Sequence, residues 1–90
     1  MDDVRVPLGA VMATPGALAQ IPVIEMALAL SHHARGDWGD LCKEDWRANN
    51  LALLSGARIL SSYVSSAGVR FWIITEAGRS STCILLPEEY

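Results

Sequence analysis

The sequence has few cysteines and no long apolar run, and each shortage excludes a class of protein. Its two cysteines, Cys42 and Cys83, lack CxxC or histidine spacing, so neither a disulfide framework nor a zinc knuckle is implied. We interpret both as free thiols in a reducing compartment. The longest apolar stretch, residues 21–30, is interrupted by Pro22 and Glu25, and the acidic N-terminus lacks a signal core. We therefore expect a cytoplasmic protein with no membrane span.

Charge is low and shows no excess of basic residues. Seven Lys and Arg residues stand against ten Asp and Glu residues, which gives a formal net charge of −3 at pH 7. A general attraction to nucleic-acid phosphates or to anionic lipid is therefore not favoured. The basic residues are also dispersed, without the interleaved aromatics typical of a single-strand binding surface. Direct sequence-specific binding of nucleic acid is not expected.

Signature motifs of several common catalytic classes are absent as well. The chain has no GxxxxGK[ST] or GxGxxG phosphate loop and no GxSxG nucleophile elbow. Nucleotide hydrolysis, dinucleotide chemistry and α/β-hydrolase catalysis therefore have no support. A chain of 90 residues buries only about 60–65% of its unfolded surface, which leaves little interior for a deep cleft. We expect a protein that is not an enzyme and holds no cofactor.

The patterns that are present predict one small α+β domain over residues 1–90. Three segments carry helix patterns: residues 14–19, 22–35 and 41–55. Thr14 followed by Pro15 is a helix-start signal, and Gly36 and Gly56 suit left-handed helix ends. The second helix is so rich in apolar residues that we expect it to be largely buried.

Three strand patterns follow the helices. They cover residues 58–64, 69–76 and 82–86, each rich in branched or aromatic residues. Short loops between them favour a three-stranded antiparallel meander packed against two or three helices. Alternation at Val4 and Val6 predicts a short N-terminal strand at the sheet edge. Trp72 and Ile74 lie on the face away from the helices, where we expect a chain terminus to cover them, with exposure to a partner as the alternative.

Two adjacent histidines stand near several acids, but a metal site is not expected. Side chains of His32 and His33 on one helix point about 100° apart and do not face one ion. Acids near a helix start are explained by capping and by the helix dipole. We predict a solvated His32 and a His33 at the margin of the core, and no metal ligands.

The residues that we predict to bind a partner surround the turn at residues 37–40, which we call the acidic turn. They are Asp37, Trp38, Asp40, Glu44 and Asp45, together with Arg79 from a second polar loop. Carboxylates around an aromatic ring are a suitable protein-binding surface. In the alternative, Trp38 anchors the loop to the domain and the acids are solvated capping groups. Arg79 is expected to pair with Glu76 or to reach the acidic turn and join the two loops.

Three segments taken together resemble a known family. They are ATPGAL at residues 13–18, GDWGDL at residues 36–41, and WIITEAGRSST at residues 72–82 followed by LLPEEY. In this order they resemble small bacterial proteins carried on plasmids and other mobile elements, which are often labelled plasmid-related or a restriction-system subunit. The resemblance covers most of the chain. Gly78 departs from the family pattern, in which Asp is common at this position. The label of restriction-system subunit does not suit the chain, because 90 residues do not hold a methyltransferase domain.

The resemblance implies an action by binding. We predict a non-enzymatic module of a mobile element that binds a host defence or nucleoprotein complex, as an anti-CRISPR or anti-restriction inhibitor does. The acidic turn is the expected contact. One alternative is a self-associating accessory protein, a homodimer formed through the Trp72 and Ile74 face or through an edge strand at residues 82–86. The other is a small metal-dependent hydrolase.

Overall fold

Runs of branched and aromatic residues form the sheet that the sequence predicts, but within a larger mixed arrangement. The computed structural model describes residues 4–90. Its four strands are β1 (Ala10–Ala13), β2 (Ile59–Val64), β3 (Arg70–Thr75) and β4 (Ser81–Leu85), in the sheet order β1-β4-β3-β2. The pairs β2–β3 and β3–β4 are antiparallel, whereas β1 runs parallel to β4. The α+β class is therefore confirmed, and the antiparallel meander makes up three of the four strands.

The predicted N-terminal strand at Val4 and Val6 is wrong. The strand that joins the sheet is β1, and the backbone N–H of Val6 instead donates to the carbonyl of Ala34 at 3.1 Å. That bond and the full burial of the Val6 side chain place this segment against a helix end. Because β1 lies outside β4, residues 82–86 form an interior strand and not the edge that the sequence suggested.

Three helices lie where their end signals predict. They are α1 (Pro15–Gln20), α2 (Val23–Ala34) and α3 (Lys43–Ser55). The hydroxyl of Thr14 accepts the N–H of Ala17 at 3.2 Å, and Gly56 ends α3 at a φ of 80°. None of the helices within residues 4–90 has the length and apolarity needed to cross a bilayer.

The expectation that α2 is largely buried is wrong. Met26 and Ala29 pack into the core, but Val23, Ile24 and Leu28 are exposed by 73%, 71% and 59%. A helix on one face of a sheet buries a single stripe of its surface. The apolar composition of α2 does not reveal whether another element covers its outer side, and within residues 4–90 none does.

The interior consists of two apolar clusters. The first lies between α1, α2 and the centre of the sheet and contains Ala17, Ile21, Met26, Ala29, Phe71, Ile73, Ile84 and Leu86. The second gathers Val6, Trp38, Ala52 and Ile59 beside α3. On the opposite face of the sheet, Ile74 is buried and the half-buried Trp72 ring contacts the ring of Tyr90, with centroids 5.8 Å apart. That face is therefore covered in part by the C-terminal residue.

Candidate functional site

The acidic turn is held against the outer edge of β2. The carbonyl of Trp38 accepts the N–H of Ser62 at 3.1 Å, and the N–H of Asp40 donates to the carbonyl of Ser62 at 2.7 Å. These bonds form a short parallel bridge between Gly39 and Ser62. The hydroxyl of Tyr63 adds a bond to the carbonyl of Asp37 at 2.7 Å, and burial raises the pKa of this tyrosine. The turn is thus an extension of the sheet with a defined backbone position.

Trp38 is an interior anchor and does not belong to the surface. Its side chain is fully buried, and its Nε1–H donates to Oδ1 of Asn50 at 3.0 Å. Its ring meets those of His33 and Trp46 edge to face, with centroids 5.8 and 6.4 Å apart. The expectation of Trp38 as a partner contact is therefore corrected, and the geometry matches the loop-anchor alternative.

All four predicted carboxylates are exposed, and most have local partners. Asp37 accepts the N–H of Gly39 at 3.1 Å, and its other oxygen lies 3.2 Å from Nδ1 of His32. Asp40 accepts from Nη2 of Arg70 at 2.9 Å. Glu44 and Asp45 occupy the first turn of α3. The backbone N–H of Glu44 itself, and then the thiol of Cys42, hydrogen-bond to the Glu44 carboxylate and lower its pKa.

Arg79 lies away from this turn and closes the end of α3. Its guanidinium donates to the carbonyls of Ala52 at 2.7 Å and Ala57 at 2.6 Å. The guanidinium also donates to the backbone carbonyl of Glu76 at 3.5 Å, and not to the Glu76 carboxylate. The predicted bridge from Arg79 to the acidic turn is therefore wrong, and Arg70 is the cation that pairs there. Arg79 has a φ of 66°, a left-handed conformation that costs about 1 kcal/mol and is offset by these charge-assisted bonds.

A groove beside the acidic turn adds residues that the sequence did not single out. It is an open depression of about 420 Å³ lined by Leu41, Lys43, Trp46 and Arg47. The half-buried Trp46 donates from Nε1 to the carbonyl of Gly39 at 3.3 Å, which ties the helix to the turn. The available signal was the spacing of Trp46 and Arg47, which follow Lys43 by three and four residues and so share its face of the helix.

A second polar group, centred on His33, lies in the interior. His33 Nδ1 is 2.5 Å from the hydroxyl of Ser61, and Nε2 is 2.8 Å from the hydroxyl of Thr75. The Thr75 hydroxyl is 2.7 Å from that of Thr82, which donates to the carbonyl of Leu8 at 2.7 Å. The chain of bonds crosses from β2 through β3 to β4 on the helix side of the sheet.

The hydrogen bond from Thr82 to the carbonyl of Leu8 determines which atom donates in each of the other bonds of this network. Thr82 uses its one hydroxyl proton on Leu8, so Thr75 must donate to Thr82. Thr75 then accepts from His33, which places the imidazole proton on Nε2, and Ser61 donates to the free Nδ1. The neutral ring satisfies all of these bonds. Burial, and then the positive charge of Arg79, lower the pKa of His33 from 6.5 to about 4.

The Ser61 and His33 pair has the spacing of a nucleophile and its base but no access to substrate. Both side chains are fully buried, as are Thr75 and Thr82. A catalytic hydroxyl must reach a reacting atom, so this arrangement fits a structural role. Within residues 4–90, no group of three or more His, Cys, Asp or Glu side chains is placed to hold a metal ion.

Comparison of the chain with protein-family models, with curated proteins and with solved structures found no match.

Proposed function

We propose that this protein is a non-enzymatic binding module whose contact surface is the acidic turn together with the adjoining groove. The observation that carries this proposal is the bridge between Gly39 and Ser62, which fixes the turn while its carboxylates face solvent. A preorganised surface loses little conformational freedom when it binds, so more of the contact energy appears as affinity. The half-buried Trp46 supplies an aromatic surface next to the acids.

The contact surface carries four exposed carboxylates, whereas its cations are Lys43 and Arg47 in the groove and Arg70 beside Asp40. The carboxylates therefore favour a partner whose basic groups meet the turn rather than the groove. Asp40 has 68% of its side chain exposed even while paired with Arg70, so an incoming arginine has access to it. Proteins that handle nucleic acid present such basic surfaces. This chemistry agrees with the partner class implied by the resemblance to mobile-element proteins, a host defence or nucleoprotein complex of the kind that anti-CRISPR and anti-restriction inhibitors bind.

The test is a quantitative pull-down from lysate of the source cell with a charge-reversed variant and a matched control. Asp40→Lys/Glu44→Lys removes two acids of the turn and spares Asp37, whose carboxylate closes the turn. Glu76→Lys/Glu88→Lys makes the same change at two other exposed acids. Each variant moves the net charge from −3 to +1, so a general charge effect is common to both.

We expect the wild type and the control to recover a nucleic-acid-processing complex, and the turn variant to lose it at least tenfold. Far-UV circular dichroism spectra of the three proteins should superimpose, because these acids make only exposed contacts. Equal recovery by the two variants, or no complex recovered by the wild type, would contradict the proposal.

A further inference from the structure

The two edges of the sheet differ in how their backbone groups are covered. At the β2 edge, the side chain of Asn49 donates to the carbonyl of Leu60 at 2.8 Å and accepts its N–H at 3.4 Å. The next residue of this strand that faces outward is Ser62, whose backbone N–H and carbonyl are bonded to Trp38 and Asp40. At the other edge, β4 is the only sheet neighbour of β1 within residues 4–90.

The outward groups of β1 belong to Val11 and Ala13. The N–H groups of Ala10 and Thr14 donate to carbonyls of the β4 side at 3.1 and 3.0 Å. Alternation along a parallel strand therefore turns the N–H and C=O groups of Val11 and Ala13 away from β4. Val11 is 47% exposed and its neighbour Met12 is 51% exposed, so this edge is open to another chain.

We propose that a second copy of this chain pairs with this edge, β1 against β1, antiparallel about a two-fold axis at Met12. In this register Val11 of one copy and Ala13 of the other exchange both of their N–H···O=C bonds, and the symmetry repeats the exchange. The two sheets become one continuous sheet with the dyad at its centre. This surface is separate from the acidic turn, which lies at the opposite edge.

The chemistry of the strand favours a second copy over an unrelated chain. Residues 10–13 read AVMA and carry no charge, so antiparallel self-pairing opposes no like charges. They also lack the Lys, Pro or bulge that usually protects an exposed edge. Because the β2 edge is already covered, head-to-tail pairing of β1 with β2 is blocked and the assembly closes at two copies.

Cross-linking at the dyad tests the register. The two copies of Met12 form a non-hydrogen-bonded pair with Cα atoms about 4.5 Å apart, a distance that permits a disulfide. The variant is Met12→Cys in a Cys42→Ser/Cys83→Ser background, since Cys83 lies beside Met12 in the sheet. Val64→Cys in the same background is the control, because Val64 ends the opposite edge strand and is 50% exposed.

Under mild oxidation we expect Met12→Cys to form a covalent dimer at least tenfold faster than Val64→Cys. Equal rates for the two thiols would overturn the proposal, and so would the absence of a covalent dimer from both.

The second test is solution mass by sedimentation at high micromolar concentration. The wild type should have twice the 9.7 kDa of one chain. Val11→Pro should be a monomer with an unchanged far-UV spectrum, because its lost N–H points away from β4. A monomeric wild type contradicts the proposal and would leave the edge to an extended segment of another protein. A dimeric Val11→Pro also contradicts it. Asp40→Lys/Glu44→Lys should keep the dimer mass, which separates this test from that of the proposed function.

Discussion

His33 links the second apolar cluster to the strands of the sheet through serine and threonine side chains that form no recognisable motif in the sequence. Its ring contacts Trp38 of the second cluster, and its nitrogens bind hydroxyls on β2 and β3. Every donor and acceptor of the neutral ring is satisfied there, which is the condition for burying a polar group at low cost. The sequence placed His33 at the core margin, whereas the fold buries it completely.

The protonation of His33 predicts how stability depends on pH. Its pKa is about 4 in the folded protein, against 6.5 for the ordinary imidazole. The unfolded chain therefore binds more protons below pH 6.5, and stability falls as the pH drops from about 6.5 through 4. We expect this residue to account for a loss of about 3 kcal/mol in the free energy of unfolding, measured by urea denaturation across that range.

His32→Gln and His33→Gln provide the comparison. The half-buried His32 makes only partly exposed contacts, with Asp37 and Arg35, so its variant should retain the pH dependence. His33→Gln keeps an amide donor toward Thr75 but has no imidazole to titrate, so the dependence should flatten. A pH profile of the wild type that is already flat between pH 4 and 7 would show that protonation of His33 is not linked to unfolding.

At the scale of elements, local signals were read correctly and long-range pairings were not. Thr14, Pro15 and Gly56 act on their own neighbours, so their roles as helix ends are visible in the sequence. The parallel pairing of β1 with β4 joins residues far apart in the chain and has no local signature. The bridge of the acidic turn to Ser62 is of the same kind.

Gly39 is the residue on which that bridge depends. Its φ is 73°, and an added Cβ would lie 2.1 Å from the carbonyl oxygen of Ser62. Gly68 has a similar φ of 80° but open space around it. Gly39→Ala and Gly68→Ala therefore share a conformational cost of about 1 kcal/mol, and only the first also displaces the turn.

We expect Gly39→Ala to lower the free energy of unfolding by about 2 kcal/mol more than Gly68→Ala. Urea denaturation of the two variants measures the difference. Hydrogen exchange should also show faster exchange of the Ser62 and Asp40 amides in Gly39→Ala alone. Equal destabilisation by the two substitutions would mean that the bridge contributes nothing to the turn.

At the scale of the whole molecule, the surface keeps a large share of apolar side chains. The outer side of α2 exposes Ile24 and Leu28, and α3 exposes Leu54 by 88%. Burial is decided by which layers exist, and a domain with one helical layer has no second surface to cover these residues.

Because these side chains already lie at the surface, we expect α2 to tolerate charged substitutions there, although its apolar composition does not suggest it. Ile24→Lys/Leu28→Lys should change the free energy of unfolding by no more than about 0.5 kcal/mol, because both side chains already face water. Met26→Lys, two residues from each of them and on the buried side of the helix, should cost more than about 3 kcal/mol. Thermal melts of the two variants check this contrast, and a similar loss in both would place the outer face of α2 in an interface.

The three helices, their ends and the antiparallel part of the sheet could all be predicted from local sequence, because caps, turns and periodicity act over a few residues. The sequence also identified the cluster of exposed acids. Long-range contacts were needed to show that Trp38 is an anchor, that Arg70 and not Arg79 pairs with the turn, and that β1 rather than β4 is the edge. Each of these depends on which distant segments meet, and that is settled by packing the whole chain around its two apolar clusters.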